Sequence, residues 1–412
     1  MARFRRRGRA CCDGAWCGSG YGGIIRLSGF STELWTFVLR AVAAALYARW
    51  NYTAAMTDAA GHIPVLGDAV VEALGAVLLG GGVLLDCTAG RGGHGTLLLR
   101  HLATLQREPE GNPGGDSGGD PGLKPSVWGG DSGGDSGGTS GGRYIGIDTD
   151  GENVAFAKAR LEGERAALNL DVGIEVVHAN FAQARAVLDS LGVGCVAGVL
   201  ADLGFASNQM ADPARGLSFS GDGPLDMRLD PTAGVPAWEL VNGWRAEELA
   251  EVIWRYGEER LSRKIARFIV EERQRSPILS TKALAEVVRR AYGRGAGRSE
   301  RPRGKGHSHR IDPATRTFMA LRIAVNGELD ALGGLLNAIP SLLAPQGVAA
   351  IISFHSLEDR MVKHAFRDYA AAGQAQVLTR KPLEAGPDEC DINPRSRSAK
   401  MRVLQWMREA PR

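Results

Sequence analysis

A chain of 412 residues with 44% hydrophobic and 23% charged residues has the balance of an ordinary globular protein, with length for two or three domains, and excludes both wholesale disorder and a channel-like composition. Its formal net charge of +3 excludes a global polycationic field, so any polyanion must be met by a local patch. Six cysteines, three of them (Cys11, Cys12, Cys17) crowded near the start and Cys87, Cys195 and Cys390 standing apart, are too few for a disulfide framework and fit a reducing compartment.

Residues 1–60 carry Arg3, Arg5, Arg6, Arg7, Arg9, Arg26, Arg40 and Arg49 against only Asp13, Glu33 and Asp58 as acids. That is transit-peptide composition, which would send the chain to an organelle matrix. The competing reading, which we favour, is an upstream start followed by a sensible soluble beginning at Met56, giving a poorly ordered extension and a cytoplasmic protein. Arg40 and Arg49 interrupt the apolar stretch 34–50, so no bilayer span and no membrane partner are expected.

Along the rest of the chain, apolar runs VLLDCT (83–88), RYIGID (143–148), IEVVHAN (174–180), VAGVLADL (196–203) and VAAIISF (348–354) read as strands, mostly separated by helical patterns such as 152–167. This alternation predicts an α/β fold with a mostly parallel sheet covered on both faces. Repeated Asp-Ser-Gly-Gly units at 111–142 predict a flexible surface loop, without the ligand spacing of a calcium site. Between Pro236 and Tyr292 three segments show helical spacing with no strand between them, the pattern of an all-helical insertion, with Trp244, Trp254 and Tyr256 expected in its core. The expected organisation is an extension 1–60, a first sheet segment 61–215, a helical insertion 216–311 and a second sheet segment 312–408.

The run LLDCTAGRGGHGTLLL places Gly90, Gly92, Gly93 and Gly95 in a strand-to-helix turn, with a helix expected from about Thr96. Such a turn lets backbone approach a ligand, and the helix start offers unpaired N–H groups. A nucleoside ligand also needs an acid at the tip of the second strand, about 20 residues on, for ribose hydroxyls. Asp148 lies 56 positions beyond Gly92, but 32 of these belong to the glycine-rich insertion, and without them the spacing is 24. Asp148 could instead cap the helix that follows. No nicotinamide-side constellation appears later in the chain. Asp86, Asp148 and Asp202 at strand ends suit a sulfonium methyl donor instead, leaving a nicotinamide dehydrogenase as a rival of another class.

The blocks HIPVLGDAVVEAL, GRGGHG, ADLGFASNQ, RGLSFSGDGPLDMRLDP, YGEER, IDPATRTFMALRIAVNGEL, SFHSLEDR and NPRSRSAKMRV together resemble the bacterial 16S ribosomal RNA cytosine-N(4)-methyltransferase family, also called MraW or RsmH. The resemblance runs from His62 to about Val403. It implies a class I S-adenosyl-L-methionine-dependent methyltransferase fold with an inserted helical domain, methylating a cytidine amine in the decoding region, with 16S rRNA or the small ribosomal subunit as partner. By motif it assigns donor binding to Gly92, Gly93, His94, Asp148, Phe181, Asp202 and Gln209. Phe205, Ala206 and Asn208 depart from the family pattern, as does CTAG before the glycine turn. Related enzymes acting on DNA or another RNA, and a non-catalytic assembly factor, remain as alternatives.

An amine whose lone pair is delocalised into a ring needs orientation and an acceptor for its N–H, and Asp202 at the end of the fourth strand is the candidate. His355, after the last core strand, reads as a satisfied loop histidine that could face the site. His307 and His309 form no recognisable metal spacing, and no metal is expected. Two basic stretches fit phosphate contacts: Arg294, Arg298, Arg301, Arg303, Lys305 and Arg310, then Arg395, Arg397, Lys400 and Arg402 near the end.

Overall fold

The computed structural model describes residues 63–79, 81–107, 141–293 and 312–407. The Arg-rich first segment, Met56, nearly all of the Asp-Ser-Gly-Gly stretch and the basic stretch 294–311 with His307 and His309 lie outside the described residues.

In chain order the first part holds α1 (Gly67–Leu74), β1 (Val83–Asp86), α2 (Gly93–Arg107), β2 (Gly142–Asp148), α3 (Gly151–Leu168), β3 (Val172–His178), α4 (Ala184–Ser190), β4 (Val196–Asp202) and α5 (Ser207–Ala211). Helix α2 begins three residues before Thr96 because Thr96 itself closes the turn, both its N–H and its Oγ1 bonding to the Gly92 carbonyl at 2.9 and 2.8 Å. Helix α3 starts where Asp150 accepts the Glu152 N–H and stops at Asn169 in the left-handed region.

Four helices follow: α6 (Ala237–Gly243), α7 (Ala246–Gly257), α8 (Ser262–Arg273) and α9 (Thr281–Tyr292), the last capped by Ser280. After residue 311 come α10 (Ala314–Asn326), α11 (Glu328–Leu342), β5 (Leu343–Ser353), α12 (Ser356–Ala371), β6 (Ala375–Val377), β7 (Leu383–Glu384), α13 (Pro387–Ile392) and β8 (Lys400–Trp406).

The strands form one sheet in the order β3-β2-β1-β4-β5-β8-β6, with β7 also on β8. Strands β1 to β5 are parallel; β8 runs antiparallel to β5. The chain steps outward from β1 to β3 and returns beside β1 as β4, so the order reverses between β1 and β4. In open α/β sheets ligands settle at such a point, outside the carboxyl ends of the strands.

Strand alternation divides the core between the two faces. Leu85, Val199, Ala201 and Ile351 pack with Leu188, Leu335, Ile339 and Phe366 under α4, α11 and α12. Leu84, Leu200, Ala350 and Ile352 pack with Val70, Leu98, Leu102 and Leu161 under α1, α2 and α3. Burial of both faces is why these strands read as unbroken apolar runs. A third core joins Leu249, Ile253, Ile265, Ile269, Leu284 and Val288 of the helical segment.

The helical core also takes in Ala314, Phe318 and Leu321 of α10. Two expectations are corrected. Trp254 is 55% exposed, because the inward stripe of α7 is Leu249, Ile253 and Gly257, four residues apart, and Trp254 falls beside it; Trp244 does pack against the core. The basic terminal stretch is not a free tail: Lys400 and Arg402 lie in β8, and Arg402 is buried and paired with Asp359 at 2.7 Å.

Candidate functional site

At the reversal point lies a cavity of about 770 Å³. One end is walled by the turn after β1 (Gly90, Arg91, Gly93, His94), by Asp148 at the tip of β2, and by Asn180 and Phe181 after β3. Asp202 and Gln209 line its middle. The other end is formed by Phe205, Arg322, Glu328, His355, Glu358 and Arg395. The loop from Arg228 to Gly234, leading into α6, also faces the cavity, and its Asp230 approaches His178 at 3.5 Å.

The glycine turn is held open by its own strand-tip acid. Asp148 accepts the backbone N–H groups of Gly90 and Asp150, each at 2.8 Å, while Asp150 rather than Asp148 caps α3. Burial pushes the Asp148 carboxyl up to about 6, with the Asp150 and Gly90 N–H bonds opposing that rise. Gly92 does not line the cavity. At its φ of +76° a Cβ would lie 3.3 Å from Leu161 Cγ, so it fits α2 against α3. Asp86 is likewise spent on structure: it is fully buried and accepts Tyr144 OH at 2.7 Å and the Thr88 N–H at 3.0 Å.

Gln209 is buried with both ends of its amide engaged, Nε2 donating to Asp150 Oδ2 at 2.8 Å and Oε1 accepting the Ala206 N–H at 2.9 Å. Arg215 reaches the same Asp150 oxygen at 2.7 Å, tying the loop after β4 to the start of α3. Phe181 is half-buried, with one side on the sheet core and another on the cavity.

Asp202 is placed differently. Its Oδ1 is buried and has no hydrogen-bond partner, while Oδ2 lies 3.8 Å from His94 Nδ1. His94 Nε2 sits 2.9 Å from the Val65 carbonyl, an arrangement that requires the proton on Nε2. Burial pushes the Asp202 carboxyl up to about 6; His94 and Arg395 pull it down, Asp86 and Glu358 push it further up. Above pH 6 this is an ionised acceptor with one oxygen unspent.

At the far end, Arg322 makes a two-pronged pair with Glu328 at 2.8 Å each and stacks over Phe205, 4.7 Å from the ring centre; Arg395 flanks the same ring at 5.4 Å and donates to the Phe205 carbonyl. His355 caps α12, its Nδ1 accepting the Glu358 N–H at 3.5 Å, so Nε2 carries a proton. That Nε2–H lies 3.1 Å from Glu358 Oε1 but out of line for a hydrogen bond, leaving it without a partner. Burial pushes Glu358 up, and His355, the Phe354 N–H and Arg322 more than offset this, leaving its carboxyl below the usual range.

Glu328, His355 and Glu358 bring ligand-type atoms within 4.8 Å of one another. The set is poorly suited to a cation: Arg322 occupies both Glu328 oxygens, and Nε2 offers a proton where a metal needs a lone pair.

The motifs therefore bring together Gly93, His94, Asp148, Phe181, Asp202 and Gln209 around one cavity, and leave out Gly92. Sequence reasoning missed Arg322, Glu328, Glu358 and the loop 228–234, and took Arg395 for a tail residue. All lie in or beside the blocks that carry the family resemblance, and Asn326-Gly327 gave a local signal: Gly327, at φ +58°, turns α10 into α11 and folds Glu328 back onto Arg322.

The described residues contain no helix long and apolar enough to cross a membrane. A family model described as the MraW methylase family matches residues 137–407. The ribosomal RNA small subunit methyltransferase H of Sorangium cellulosum (strain So ce56) is 42% identical over 346 residues, covering 84% of this chain and 90% of that protein. The protein of the same name from Synechococcus elongatus (strain ATCC 33912 / PCC 7942 / FACHB-805) is 41% identical over 345 residues, covering 84% and 94%. A solved rRNA methylase from Streptococcus thermophilus covers 83% of this chain and 94% of its own with a TM-score of 0.29 and 9% identity, too loose a likeness to carry weight. With the family model spanning most of the described fold and relatives this similar over more than four-fifths of its length, the chain belongs to the MraW methylase family.

Proposed function

We propose that this chain transfers the methyl group of S-adenosyl-L-methionine to the exocyclic N4 amine of a cytidine in 16S ribosomal RNA of the small subunit. The observation that carries this reading is Asp202, a residue lining the cavity whose buried Oδ1 has no hydrogen-bond partner, beside a glycine turn and strand-tip acid that suit a sulfonium nucleoside.

The residues fit the cofactor. The open turn at Gly90 and Gly93 leaves room for close approach, Asp148 Oδ2 accepts only the Gly90 N–H and has a lone pair left for a ribose hydroxyl, and Phe181 offers a ring to adenine. Bound there, S-adenosyl-L-methionine supplies an electrophilic methyl carbon on a sulfonium sulfur. Asp202 orients the amine by accepting one N–H, which turns the nitrogen face toward that carbon. The donor would supply the methyl carbon for the new N–C bond, and the C–S electron pair would leave with its sulfur. The amine then loses a proton, and the Asp202 carboxylate, raised to about 6, is a receptive first acceptor for it.

The test is methyl transfer from labelled donor to small subunits isolated from cells lacking the modification, followed by nucleoside mass spectrometry. N4-methylcytidine in 16S rRNA supports the reading. Label in DNA or another RNA, or donor binding with no transfer, would favour a different substrate or an assembly role.

A further inference from the structure

Two residues that line the cavity each carry a buried side-chain atom without a hydrogen-bond partner, and the two are of opposite kinds: Asp202 Oδ1 can only accept, and His355 Nε2 can donate. They stand on neighbouring strand tips. Asp202 pairs with Ile352 across the sheet, the Leu203 N–H bonds to the Ile352 carbonyl at 2.9 Å, and His355 follows three residues after Ile352. Nε2 bears a proton whether the ring is neutral or charged, because Nδ1 faces the Glu358 N–H. The His355 side chain is 10% exposed, and the Glu358 oxygen 3.1 Å from Nε2 is out of line to accept its proton, so a ligand acceptor placed in line would gain that bond.

Given the cytidine reaction proposed above, we propose that His355 is the residue that reads the target base, its Nε2–H donating to cytosine N3 while Asp202 Oδ1 accepts the N4–H. Cytosine presents a donor and then an acceptor along that edge, matching an acceptor and a donor on the protein. Uracil presents the reverse at both positions, with O4 toward a carboxylate and N3–H toward an N–H. Each mismatch buries an unmet polar group, which is the strongest way a site rejects a near-isostere. Glu358 and the capped start of α12 hold the ring, and the Phe205 ring flanked by Arg322 and Arg395 offers a polar-edged wall beside it.

The test uses the full chain with His355→Asn, which keeps a cap for α12, and His355→Gln as a second variant. Methyl incorporation into unmodified small subunits is measured beside S-adenosylhomocysteine affinity by calorimetry, melting temperature, and binding of cytidine against 3-deazacytidine, in which N3 is replaced by C–H, by NMR. The wild type should favour cytidine over 3-deazacytidine by about tenfold, and a variant that folds should lose both that preference and about tenfold or more of its kcat/KM, with S-adenosylhomocysteine affinity within about twofold. Wild-type transfer by either folded variant, an unchanged preference for cytidine, or an equal loss of S-adenosylhomocysteine affinity would overturn the assignment. If the wild type itself placed no methyl on cytidine, the proposed reaction would fall first and this assignment with it.

Discussion

Replacing Asp202 by Asn keeps the side-chain shape and removes a charge that the cavity holds at a cost. Burial raises the carboxyl from 3.8 to about 6. Between those values the folded chain keeps a proton that the unfolded chain has released, so stability falls as pH rises through this window, and the loss is complete above about pH 6. Two pH units correspond to at most about 3 kcal/mol, and nearer 1–2 kcal/mol once solvent reaches the exposed quarter of the side chain. An Asn amide can also donate to His94 Nδ1, which now faces a carboxylate. The D202N variant should therefore melt a few degrees higher than wild type at pH 7.5, with the gap shrinking toward zero near pH 4, while methyl transfer is lost. Thermal melts of both proteins from pH 4 to 8 measure this. A gap of opposite sign, or one independent of pH, would refute the account of Asp202 as a strained, unspent carboxylate.

Three further outcomes are expected. Phe181→Ala should weaken S-adenosylhomocysteine binding by about tenfold in calorimetry, from the lost aromatic face, with little change in fold by circular dichroism. Gly92→Ala should lower stability by about 1–2 kcal/mol in urea melts, because φ +76° and the Leu161 contact resist a Cβ, and donor affinity measured on the folded fraction should stay near wild type. Arg402→Met should cost about 3–5 kcal/mol by stranding the Asp359 carboxylate, yet leave the salt dependence of RNA binding unchanged, the opposite of what a phosphate-contacting tail would show.

Strands β1, β4 and the 348–353 part of β5 were legible because both their faces are buried in apolar runs. Strand β8 was not: KMRVLQW reads as a basic tail until Arg402 is seen to meet Asp359 from α12, a pairing across 43 residues. Strands β6 and β7, three and two residues long, carry no periodicity to read. The helical segment was legible from its 3.6-residue stripes, but the membership of α10 depends on Ala314, Phe318 and Leu321 meeting helices that end more than twenty residues earlier.

Local chemistry written along the chain settled the alternation of strands and helices, the glycine turn, and the acid that falls into range of it once the insertion is set aside. Those features depend on residues near one another in sequence, where periodicity and backbone sterics act directly. Which polar atoms end up satisfied was decided only by folding. Asp86 and Asp202 look alike as strand-end acids, yet Tyr144 and Thr88 consume the first while the second keeps an unpartnered oxygen, because hydrogen bonds between distant segments exist only after the sheet has brought them together.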